Sequence, residues 1–269
     1  MPVLSRAGLR IDYADEGQGR PVVLVHSSVS GNRQWRALTD ALSDRYRVLA
    51  VNLHGYGETT PWPAVEPQSL AAQARLIRAV CDELDGPVRL VGHSFGGSVA
   101  LKAALQLGGR VSSLVLLEPN PFHLLEQEGR SAAWLETQSL REYVTGHIAA
   151  DDWPGASRRF ADYWLGEGTW DAMPERRRAA FAEALAQNPY EWEAVMNEQT
   201  GVEGYAAVAA RTLVVSDRAT RRPIREIVEV LEHGCAGWSF RFLEEGGHMA
   251  PLTRPELVNP IVAEFLDAG

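Results

Sequence analysis

The 269-residue chain has only two cysteines, Cys81 and Cys235. Two are too few for a disulfide framework and lack the paired spacing of a structural zinc site, so a reducing, cytoplasmic setting is expected. Long apolar runs are missing too. No stretch approaches the ~20 apolar residues that span a bilayer, and the first seven residues carry no apolar signal segment, so no membrane partner is expected. Positive charge is in deficit: 26 Lys and Arg face 35 Asp and Glu, a net charge of -9. Binding nucleic acid draws on clustered cations that displace counterions from phosphates, so that partner is not expected either. The short run Arg176-Arg177-Arg178 sits among Ala and Glu and reads as a solvated helix face. Repeats and low-complexity tracts are absent.

What is present is ordinary for a folded domain: 45% hydrophobic and 23% charged residues, in a chain long enough to bury a sizeable core. Short β-branched runs at 22–25, 47–51, 88–91, 111–117, 212–215 and 240–243 read as buried parallel strands. An alternating run at 9–13 adds an antiparallel one. Between them, segments 34–42, 69–84, 95–107, 223–231 and 255–266 carry apolar residues at helical spacing. Alternating strands and helices predict an α/β class fold with a mostly parallel, doubly wound sheet. The core is assigned to 1–120 and 206–269. The rhythm breaks over 121–205, where strand runs vanish and helical patterns succeed one another. That insert holds five of the eight tryptophans. It reads as a lid over the crevice at the carboxyl ends of the strands, where such sheets bind ligands.

The most informative segment is Gly92-His93-Ser94-Phe95-Gly96, lying between a strand and a helix. Gly-x-Ser-x-Gly in that context is a nucleophile elbow: the serine occupies a strained turn, and the flanking glycines remove Cβ atoms that would collide with it. The turn presents Oγ at a helix N-terminus, whose dipole favours negative charge. In a doubly wound protein the bland reading is a glycine-rich βα turn. A serine hydroxyl needs a base near neutrality, and histidine supplies one. Of the seven histidines, His248 alone sits in a glycine-rich loop after the last strand and before the last helix. His123, His147 and His233 read as surface or lid residues, His93 as pointing away from the nucleophile, and His26 as a brace.

With these residues the chain resembles the α/β-hydrolase superfamily along nearly its whole length. Val22-Val-Leu-Val25-His26-Ser27-Ser28 resembles the family's strand and His-Gly oxyanion loop, Asn52-Leu-His-Gly55-Tyr-Gly57-Glu its Asp-x-Arg-Gly-x-Gly-x-Ser turn, and Gly246-Gly247-His248-Met-Ala-Pro251 its histidine loop. The resemblance implies oxyanion donors at the backbone N–H groups of Ser28 and Phe95. Ser27 departs from the family by replacing a glycine, and its hydroxyl is a candidate further donor. The acid has two candidates. Asp217 follows its strand almost at once, without the family's Gly-x-x-Asp form, and Ala219 and Thr220 fill the positions where the carboxylate belongs. Glu118 ends the run Leu114-Val-Leu-Leu-Glu118, 24 residues after Ser94. That placement resembles zearalenone lactonases and a branch of haloalkane dehalogenases. Its structural reading is a strand-end carboxylate capping the lid's first turn. Glu118 is favoured over Asp217.

The resemblance therefore implies a serine hydrolase acting on an ester or lactone of a hydrophobic small molecule, with no metal or organic cofactor. Haloalkane dehalogenases and epoxide hydrolases, which place Asp at the elbow, are set aside by Ser94. Carbon–carbon bond hydrolysis and cofactor-free lyase chemistry use the same triad and stay open, as does, less favoured, a ligand receptor built on the fold. Ser27, Phe122, Trp134, Phe160, Trp164 and Met249 are the candidate pocket residues.

Overall fold

A computed structural model describes residues 2–6, 8–63 and 65–268. Its strands are β1 (Val3–Arg6), β2 (Leu9–Glu16), β3 (Arg20–Val25), β4 (Tyr46–Val51), β5 (Val88–His93), β6 (Val111–Leu117), β7 (Arg211–Asp217) and β8 (Ser239–Leu243), in one sheet ordered β1-β2-β4-β3-β5-β6-β7-β8. Pairing is parallel from β4 through β8, while β1 and β2 run antiparallel at one edge. The parallel strands read as continuous apolar runs because both faces are covered. In β3, for example, Val23 and Val25 join the core on one face, and Val22 and Leu24 join the core on the other.

The first core is closed by α2 (Leu70–Cys81), α3 (Phe95–Leu107) and α11 (Arg222–Gly234); the second by α1 (Arg36–Leu42) and α13 (Pro255–Asp267). Strand β1 lies outside the expected set. It is a mostly exposed edge strand, so no buried apolar run marks it in the sequence.

Between β6 and β7 the described chain is helical: α4 (His123–Gln127), α5 (Ser131–Ala149), α6 (Trp153–Leu165), α7 (Thr169–Ala172), α8 (Glu175–Leu185), α9 (Asn188–Met196) and α10 (Val202–Ala206). Local chemistry sets some of these boundaries. α6 starts where Asp152 accepts a hydrogen bond from the Gly155 N–H and Pro154 takes a first-turn position, where its missing N–H costs nothing. A short α12 (Ala250–Thr253) follows β8.

Strand order reverses around β3, which is flanked by β4 on one side and β5 on the other. The connections leaving β3 and β5 therefore diverge, and their carboxyl ends open a crevice between them. His26-Ser27-Ser28 emerges from one strand and Ser94 from the other.

The elbow is packed without spare room. A Cβ at Gly92 would collide with the Gly96 backbone, and one at Gly96 with the carbonyls of Val25 and His26. Gly96→Ala is accordingly expected to cost about 1–3 kcal/mol by overpacking, read as a lowered thermal unfolding midpoint. Gly109→Ala, whose added methyl meets nothing within 4 Å, is the control that should leave the midpoint unchanged.

Candidate active site

Ser94 joins β5 to α3 with φ 52° and ψ -119°, in the strained turn expected of an elbow. Its N–H donates to the Leu117 carbonyl at 2.9 Å, tying the elbow to the end of β6. Glu118 follows immediately, also at positive φ (48°), and its N–H donates to the Val215 carbonyl of β7 at 2.9 Å. The described non-glycine residues at positive φ are Val29, Ser94, Glu118 and Asp151. Each such position costs on the order of 1–3 kcal/mol and persists only where surrounding contacts over-determine it. Three of the four meet at this crevice.

The structure brings Ser94, His248 and Glu118 together. His248 Nε2 lies 3.0 Å from Ser94 Oγ, and its Nδ1 lies 3.0 Å from Glu118 Oε2. All three side chains are buried. Glu118 Oε1 accepts from Ser216 Oγ at 2.6 Å and the Asp217 N–H at 2.7 Å, while Thr220 Oγ1 donates to Oε2. Burial alone would raise this carboxyl's pKa, but the imidazole and the two hydroxyls outweigh it and hold the pKa below the usual value. Thr220, one of the two residues at the positions where the resemblance placed an acid, donates to Glu118.

Among the described residues no hydrogen bond joins the Asp217 carboxylate to the imidazole. That carboxylate accepts from the N–H groups of Ala219 at 2.7 Å and Gly247 at 2.9 Å. It therefore fastens the loop that carries His248.

Two further histidines brace the site. His93 Nε2–H donates to the His248 carbonyl at 2.9 Å, and Nδ1 accepts from Gln34 Nε2 at 3.0 Å. Gln34 Oε1 in turn accepts from the Ser27 N–H at 2.9 Å and Ser27 Oγ at 2.8 Å. The Ser27 hydroxyl is thus committed to Gln34, with Ser30 Oγ 2.9 Å away, although the residue lines the cavity. His26 donates from Nδ1 to the Ser27 carbonyl at 2.8 Å and accepts the Leu53 N–H on Nε2 at 3.1 Å. Burial holds both rings neutral: it lowers His26 to about 4 and His93 well below its usual value. Of the histidines assigned to surface or lid, His123 is buried against the carbonyls of Val195 and Thr200.

A cavity of about 260 Å³ opens on Ser94 and His248, and Ser27, Phe122, Phe160, Trp164 and Met249 line it. Trp134 does not. It lies on α5, which packs against α4, α6, α9 and α11, and is half-buried against the main core instead of in the cavity wall. The Trp164 ring lies 4.4 Å from that of His248, centre to centre. Ser28 and Phe95 also line the cavity, and among the described residues neither of their N–H groups has an acceptor.

Sequence reasoning missed Glu191, a fully buried carboxylate in the cavity wall, pushed up in pKa by its burial. A glutamate in the first turn of a helix is commonplace, so nothing in the sequence distinguishes it. Among the described residues no cluster of three or more His, Cys, Asp or Glu is placed to hold a metal ion. No helix among them is long and apolar enough to cross a membrane.

The family model described as "Alpha/beta hydrolase family" matches residues 22–261. The chain belongs to this family. This alpha/beta hydrolase is 28% identical over 268 residues to lipase LipV of Mycobacterium tuberculosis, covering 94% of this chain and 95% of that one. It is 31% identical over 122 residues to a 2-hydroxy-6-oxo-6-(2'-aminophenyl)hexa-2,4-dienoic acid hydrolase of Metapseudomonas resinovorans. That match covers 42% of this chain and 40% of the relative, and the chain spans about half or less of the length of several other relatives it matches. Among solved structures, the enol-lactonase from Burkholderia xenovorans LB400 superposes with a TM-score of 0.77 at 18% identity, covering 99% of this chain and 100% of that one.

The buried neutral histidines make the fold acid-sensitive. The unfolded chain binds a proton on His26 near pH 6.5, whereas the folded chain resists until about 4. Stability is therefore complete above pH 6.5 and falls as pH drops through that window, by about 2 kcal/mol at pH 5 from this residue alone. His93 acts in the same direction. Denaturant midpoints at pH 7 and pH 5 should show the loss, and equal midpoints would contradict it.

Proposed function

We propose that this alpha/beta hydrolase cleaves an ester or lactone bond of a hydrophobic small molecule, transferring the acyl group through Ser94 to water. The observation that carries the reading is the unbroken hydrogen-bond chain from Ser94 Oγ through His248 to Glu118, ending at an apolar cavity. With Nδ1–H donated to Glu118, the Nε2 lone pair faces the serine hydroxyl, the tautomer a general base requires. Ser94 Oγ attacks the carbonyl carbon as Nε2 takes its proton, and the carbonyl oxygen becomes an oxyanion within reach of the Ser28 and Phe95 N–H groups. Each such donor is worth ~100- to 1000-fold in rate. Collapse of this intermediate breaks the bond to the leaving oxygen, which receives the proton from Nε2. Water then attacks the acyl-enzyme, giving its proton to Nε2, and Ser94 leaves with that proton restored.

Glu118 remains a carboxylate throughout, compensating the imidazolium charge. Residues 121–205 act as the cap: Phe160 and Trp164 of α6 and Trp192 of α9 form the apolar wall that accepts a hydrophobic substrate and keeps bulk water out. A cytoplasmic setting agrees with the two buried free thiols.

Hydrolysis of a carbon–carbon bond is the second reading, favoured by the likeness to the dienoic acid hydrolase, whose named substrate contains no ester. p-Nitrophenyl esters of graded acyl length, aryl lactones and β-diketones, assayed side by side, separate the two.

A fluorophosphonate probe is expected to label the native protein and to leave Ser94→Ala unlabelled; an unlabelled native protein would point to a ligand receptor instead. On any ester turned over, Glu118→Gln is expected to lower kcat by about 10³- to 10⁴-fold, since the wrong tautomer then faces the serine. Asp217→Asn should cost much less, and the reverse ranking would assign the acid to Asp217.

A further inference from the structure

The proposed reaction leaves one buried carboxylate without a role. Glu191, on α9 of the insert, meets two donors, Tyr56 Oη at 2.7 Å and Asn188 Nδ2 at 3.5 Å. No cation pairs with it among the described residues. Tyr56 belongs to the loop after β4, and its hydroxyl also accepts the N–H of Val29 at 2.9 Å. Val29 is β-branched yet held at φ 61°, a conformation that such a side chain avoids. It directly follows Ser28, whose N–H is the expected oxyanion donor. One carboxyl group is thus linked to the Val29 backbone, next to Ser28, through a tyrosine.

We propose that Glu191 is a positioning residue for the oxyanion hole: with Tyr56 as relay, it fixes the Ser28–Val29 turn so that the Ser28 N–H meets the negative charge that develops on the carbonyl oxygen. The contact runs from the insert to a loop of the core, so the hole is complete only when α9 is docked. Tyr56 Oη donates to the carboxyl oxygen and accepts the Val29 N–H, so Glu191 sets the direction in which the phenol is turned. Glu191→Gln replaces one carboxyl oxygen by an N–H₂ group and weakens the acceptor offered to Tyr56 Oη. Tyr56→Phe removes the acceptor for the Val29 N–H while leaving Glu191 in place.

This inference rests on the serine hydrolase reading, and the two fail differently. If Ser94→Ala hydrolyses esters as well as the native enzyme, that reading fails. If Ser94→Ala is inactive, the test of the inference is Glu191→Gln and Tyr56→Phe on the best p-nitrophenyl ester. Each is expected to lower kcat about 10- to 100-fold, less than outright removal of an oxyanion donor, with KM changed by less than about threefold. The double variant should be little worse than either single one, since both act through the same turn. A trifluoromethyl ketone, which forms a tetrahedral oxyanion on the serine, should lose affinity in parallel with kcat/KM across the set. Unchanged kcat in both single variants would overturn the proposal. So would a loss carried by KM with ketone affinity intact, which would make Glu191 a wall of the pocket or a structural latch.

Discussion

The contact on which the rest of the site depends is the hydrogen bond between the Glu118 carboxylate and His248 Nδ1, made where water is excluded. It decides which imidazole nitrogen carries the proton and therefore which one faces Ser94. An ionised carboxylate in such surroundings needs compensation. Glu118 finds it in two hydroxyls, one backbone N–H and the imidazole, which together keep its pKa down despite the burial.

In the proposed mechanism that arrangement lets a carboxylate at the end of β6 serve as the acid. The β7 loop has not lost its connection to the site. Ser216, Thr220 and the Asp217 N–H act as donors to Glu118, and the Asp217 side chain holds the Gly247 N–H one residue before the base. In the proposed mechanism the β6 end supplies the acid and the β7 loop its support. The backbone records the demand: Ser94, Glu118 and Val29 all occupy conformations that ordinary residues avoid, each stitched to a neighbouring strand or loop by a hydrogen bond.

Much of this was legible in the sequence, for identifiable reasons. Parallel strands buried on both faces leave continuous apolar runs, and a serine between two glycines at a strand–helix junction leaves a recognisable elbow, so the core and the positions of Ser94 and His248 could be read from residues alone. Glu118 was a candidate because it ends the β6 run at a place that resembles the acid position of zearalenone lactonases, with Asp217 as the alternative. Edge strand β1 was not, since an exposed strand carries no burial signal. Trp134 shows the converse difficulty: in an insert dense with aromatic residues, composition marks a packed wall without saying which rings face the cavity and which face the core. Glu191 and Tyr56 were invisible because their significance lies in a contact between segments 135 residues apart. No local pattern encodes that contact.

The carboxylate–imidazole bond can be observed directly as the far-downfield proton NMR resonance of His248 Nδ1–H. The account predicts a signal that persists in Ser94→Ala, disappears in His248→Asn, moves upfield in Glu118→Gln and is unmoved in Asp217→Asn. A resonance indifferent to Glu118 and displaced by Asp217→Asn would contradict it.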